Sequence, residues 1–95
     1  MKILGMEESL EPCAESGWYA YDIWVNRPIG PEQILSLASH GALTYLRQLK
    51  MPFYKLNQQY FYIQGMQGES QLRLAVYREE EEKTVAEVRG WIENW

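Results

Sequence analysis

Between Phe53 and Arg78 the chain alternates aromatic and aliphatic runs with polar turns, in a rhythm too short for helices. Three such runs are separated by Asn57-Gln58-Gln59 and by the glycine-bearing stretch from Gly65 to Ser70. Their length and their aromatic and β-branched content predict a three-stranded antiparallel meander. Upstream, every residue from Trp18 to Val25 except Ala20 and Asp22 is aromatic or β-branched, which predicts a further strand. The apolar run over residues 1–6 reads as an edge strand, and residues 7–17, acidic and holding Pro12, read as a loop.

Helical spacing frames the meander. Pro31 suits a first helical position and Glu32 favours the positive end of the dipole beside it. At about 100° per residue, Ile34, Leu35, Ala38, Ala42, Tyr45, Leu46 and Leu49 share one stripe, so the spacing predicts a helix from Pro31 to Lys50, ended by Pro52. At the other end, Thr84-Val85-Ala86-Glu87 matches a capping box with Thr84 as N-cap. The helix it opens puts Val85, Val88, Trp91, Ile92 and Trp95 together, and indoles at residues 91 and 95 are expected to dock rather than fray. The implied fold is a two-layer α+β sandwich. Its antiparallel-rich sheet has four to five strands with two helices on one face, in the order (β)-β-α-β-β-β-α, as one domain over residues 1–95.

A sheet covered on one side leaves the other open, and alternation says which residues line it. Leu72, Leu74 and Val76 are the core set of the last run, as are Phe61 and Ile63 of the middle one. The open face then carries Tyr60, Tyr62, Gln64, Arg73 and Tyr77. The strand over Trp18–Val25 adds either its tyrosine row or Trp18, Asp22 and Trp24, since both of its faces carry bulk. Tyr, Trp and Arg on an open face are the residue types that dominate interface energetics.

Charge and composition narrow the function classes. A net charge of −4 over 95 residues, with nine Lys and Arg and no basic cluster, argues against nucleic acid as a partner. The α-β-β-β-α order of the tail resembles that of double-stranded-RNA-binding domains, but the basic loop residues such a domain needs are absent. Aromatic content of 14% argues against disorder. The single cysteine precludes an intrachain disulfide, and no apolar stretch has the length of a signal peptide core or a membrane span, so a cytoplasmic protein is expected.

Candidate chemistry is sparse. His40 falls opposite the apolar stripe of the expected helix, facing solvent, with no carboxylate three or four residues away to orient it. Cys13 lies among glutamates that disfavour its thiolate. Neither a soft-ligand set nor a calcium-loop spacing is present, so no metal and no cofactor is expected. Asp22 interrupts a strand and calls for a structural ion pair, with Arg27, Arg73 or Arg78 as possible partners. The Glu79–Glu82 run reads as a solvated connector.

These features favour a non-enzymatic protein–protein interaction module, homodimeric or an accessory subunit, that binds through the aromatic face. A second reading is a small enzyme or ligand-binding domain with an aromatic-lined pocket across a dimer interface, anchored by Asp22, Tyr62 or Arg73. A third, an acidic inhibitor that mimics nucleic acid, rests on the charge and the glutamate run alone.

Overall fold

A computed structural model describes residues 1–9 and 17–95; Cys13 and most of the expected 7–17 loop lie outside the described residues. The chain forms β1 (Ile3–Glu8), β2 (Trp18–Val25), α1 (Pro31–Ser36), β3 (Ala42–Leu46), β4 (Phe53–Asn57), β5 (Phe61–Met66), β6 (Gln71–Tyr77) and α2 (Glu81–Glu93). Among the described residues six strands join one antiparallel sheet in the order β1-β2-β6-β5-β4-β3. β1 is an edge strand, as its composition suggested, and it continues through Glu7 and Glu8 rather than ending at Met6.

Alternation in the meander sorts its residues as expected. Phe61, Ile63, Leu72, Leu74 and Val76 are buried on the helix side with Tyr54 and Leu56. Ile23 and Val25 join the same core, which places the Tyr19–Tyr21–Ile23–Val25 row under the helices and leaves Trp18, Ala20, Asp22 and Trp24 on the other face. Ile34 and Leu37 reach this core from the α1 side, Val88 and Ile92 from α2. Both helices therefore cover one face of the sheet. Gly68, at φ 91°, supplies the left-handed turn between β5 and β6, and its N–H donates to Ile29 O at 2.9 Å, tying the approach to α1 onto that turn.

The long first helix does not form. α1 stops at Ser36, a 3₁₀ turn runs from Leu37 to His40, and Ala42–Leu46 becomes β3, the sixth strand. In β3 the members of that stripe part company: Tyr45 turns inward beside Leu43, while Ala42 and Leu46 turn outward with Thr44. Pairing with β4 overrides the helical spacing, from Ala42↔Asn57 to Leu46↔Phe53. Gly41 permits the switch: a β-carbon there would come 2.5 Å from the Asn57 carbonyl oxygen. Leu35 and Leu49, assigned to the buried stripe, are exposed. The extra strand also breaks the α-β-β-β-α order that resembled RNA-binding domains.

The second helix starts earlier than the capping motif indicates. Arg78–Glu80 form a 3₁₀ turn and α2 opens at Glu81, so the glutamate run is a helix start rather than a connector. Glu81 and Glu82 occupy the first turn, where the helix dipole favours negative charge. Thr84, one turn in, is buried instead of capping. The C-terminal indoles dock as expected, with Trp91 and Trp95 packed on the core and Trp95 Nε1 donating to Ser36 Oγ at 3.1 Å.

Candidate interaction surface

Among the described residues no helix packs on the second face of the sheet, and antiparallel register arranges its side chains in rows. One row crosses five strands: Glu7 on β1, Asp22 on β2, Arg73 on β6, Gln64 on β5 and Lys55 on β4. Acidic groups stand at the β1–β2 end of this row and basic groups toward β4. Asp22 and Arg73, separated by fifty-one residues of chain, stand directly opposite one another in the register of β2 with β6. Arg73 Nη1 donates to Ser9 Oγ at 3.2 Å. An open depression of about 500 Å³ lies on the β1 side of Arg73, bounded by Glu7, Asp22, Trp24 and Gln71.

Beside this row stands a ring cluster. Trp18 stacks on Tyr62 with centroids 6.3 Å apart and planes at 27°, and it meets Tyr77 edge-on at 6.3 Å. Tyr77 in turn contacts Tyr60 at 6.0 Å. Lys55 Nζ sits over the Tyr62 ring, 4.4 Å from its centroid, close enough for a cation–π attraction. Tyr60 is 42% exposed, the most open ring of the group, while Trp18, Tyr62 and Tyr77 are half-buried. Ala20 and Ala75 between them are fully buried, which lets the rings close over the small side chains.

All six residues assigned to this surface from the sequence, Tyr60, Tyr62, Gln64, Arg73, Tyr77 and Asp22, thus fall in one continuous area formed by β2, β6, β5 and the turn before β5. Sequence reasoning left Trp18 as an alternative and did not single out Lys55. Alternation from Asp22 already links Trp18 to the open face once the register of β2 with β6 is known.

Other titratable groups lie on the helix side. The Tyr21 hydroxyl donates to Glu81, and burial, then that hydrogen bond and the Glu81 charge, push its pKa well above the ordinary tyrosine value. Burial also pushes up the Tyr54 phenol, with the Glu69 charge adding to it. His40 does not face open solvent: its ring lies flat on Trp91, centroids 3.8 Å apart and planes at 11°. The 3₁₀ turn, replacing the expected helix, rotates it inward to α2. Among the described residues no group of three or more His, Cys, Asp or Glu side chains is placed to hold a metal, and no helix is long and apolar enough to cross a membrane.

No protein-family model matches this chain, and neither a curated protein nor a solved structure is significantly similar to it.

Proposed function

We propose that this protein is a non-enzymatic interaction module that binds another protein, or a second copy of itself, through the helix-free face of its sheet. The observation that carries this reading is the ring cluster of Trp18, Tyr60, Tyr62 and Tyr77 adjoining the Asp22–Arg73–Gln64–Lys55 row. Rings of this kind supply contact area at low entropic cost, and a row that runs from acidic to basic supplies orientation. Nucleic acid fits poorly, because a stacking platform needs a basic surround and the chain carries a net charge of −4.

The test compares wild type with Tyr60→Ser and Tyr62→Ala, by light scattering coupled to size exclusion and by affinity capture from lysate. Both variants are expected to keep the far-UV circular dichroism of the wild type and to lose an association that the wild type makes. If every association survives both substitutions, the face is not the binding surface. The depression beside Asp22, Trp24 and Arg73 supports a second reading, a small polar ligand held there; a molecule that copurifies with wild type and not with Arg73→Ala would favour it.

A further inference from the structure

The two edges of the sheet are built differently. β1 carries the devices that keep an edge strand from pairing: its register shifts at a bulge between Ile3 and Gly5, and it bears Glu7 and Glu8. β3 carries none of them. Ala42-Leu43-Thr44-Tyr45-Leu46 has no charge, proline or glycine, and its register with β4 is unbroken from end to end. Among the described residues no strand lies on its outer side. An apolar, regular edge is a template for a further strand.

We propose that β3 pairs antiparallel with β3 of a second copy, about a twofold axis at Thr44, joining two six-stranded sheets into one. The strand's own symmetry points to this occupant. In that register Leu43 of each copy faces Tyr45 of the other on the helix side, Ala42 faces Leu46 on the opposite side, and Thr44 faces Thr44. No like charges meet within the pair. Arg47, the first charge after the strand, has its guanidinium carbon 5.3 Å from the centroid of its own Tyr45 ring, and it would stand across from Gly41, which has no side chain to obstruct it.

Burial agrees with this arrangement. Leu43 and Tyr45 lie half-buried at the margin of the core, a margin that a second copy would close. Leu49 and Met51, 45% and 54% exposed, follow in the turn after β3, and the axis brings them beside the start of the other copy's strand. The assembly closes at two: its outer edges are then the two guarded β1 strands, so no further chain adds. The aromatic face takes no part, and this inference stands independently of the function proposed for it.

Direct cross-strand pairs hold their β-carbons about 4.5–5.5 Å apart. In a Cys13→Ser background, Thr44→Cys is therefore expected to form a disulfide-linked dimer on mild oxidation, whereas Ala42→Cys, set off from the axis, is not. Thr44 is exposed and lies across from Lys55 within its own chain, so Thr44→Glu leaves the fold intact by circular dichroism while placing two carboxylates side by side at the axis. Light scattering over a dilution series should show a dimer for wild type, and a dissociation constant raised about tenfold or more for Thr44→Glu. A wild type that is monomeric at every concentration overturns the proposal, as does cross-linking of Ala42→Cys as efficient as that of Thr44→Cys. A dimer that survives Thr44→Glu but is lost in Tyr62→Ala assigns self-association to the aromatic face and overturns it too.

Discussion

Tyr54 and Gly65 face each other across the β4–β5 pair, and the tyrosine fills the space a side chain at residue 65 would need. A β-carbon on Gly65 would come 2.6 Å from the Tyr54 hydroxyl oxygen and 2.9 Å from its ring. Tyr54 is fully buried, so its ring has little room to retreat. Gly65→Ala is expected to destabilise the protein by about 1–3 kcal/mol, an overpacking cost. Urea unfolding in a double-mutant cycle checks the cause: the penalty should shrink when Tyr54 is replaced by Leu.

The Tyr54 hydroxyl is buried and has no hydrogen-bond partner among the described residues. Removing it as Tyr54→Phe should leave stability at neutral pH unchanged or slightly improved, because an unsatisfied polar group is lost. Alkaline pH separates the two proteins further. The phenol titrates above its ordinary value of 10.0 when folded, so the unfolded chain releases its proton first and stability falls as pH rises beyond 10. Unfolding curves between pH 9 and 11 should show wild type losing stability more steeply than Tyr54→Phe, by at most about 1.4 kcal/mol per pH unit. Equal slopes would mean that the phenol reaches solvent.

Two glycines predict opposite outcomes for the same substitution. Gly41→Ala drives a β-carbon against the Asn57 carbonyl oxygen, which belongs to a paired strand, and should cost about 1 kcal/mol or more. Gly90 lies inside α2 with nothing within 4 Å of an added β-carbon. Gly90→Ala should stabilise by about 0.5–1 kcal/mol, through the lower entropy of the unfolded chain. Melting temperatures of the two variants must move in opposite directions.

The His40–Trp91 stack joins the 3₁₀ turn after α1 to the last turns of α2. Phe61 also touches Trp91, with centroids 5.9 Å apart, so the indole is held from two sides. His40→Ala should lower stability by about 0.5–1.5 kcal/mol and alter tryptophan emission. An unchanged emission spectrum and melting point would show that the rings are not stacked in solution.

Strand positions were legible where alternation and β-propensity agreed. The meander and the strand over Trp18–Val25 have both, and from them followed the inward set Phe61, Ile63, Leu72, Leu74 and Val76. Tyr60, Tyr62, Gln64, Arg73 and Tyr77 were legible on the open face for the same reason, whereas the place of Asp22 depended on which row of β2 the helices cover. Ala42–Leu46 was not. Its Ala42, Tyr45 and Leu46 complete a helical stripe in the local sequence, and a partner strand seven to fifteen residues downstream overrides it. Thr84 misled for a related reason: the capping motif is local, whereas Tyr21 holds Glu81 from a strand sixty residues away.

By itself the sequence determined the antiparallel-rich α+β class, the inward and outward residues of the last two strands, and the absence of a basic footprint, because these depend on near neighbours and on composition. Tertiary structure decided the sixth strand, the row that sets Asp22 against Arg73, the inward turn of His40 and the contrast between a guarded and an unguarded edge. Each depends on which strands lie side by side. That is settled by burying one shared core, a balance over the whole chain that no local window contains.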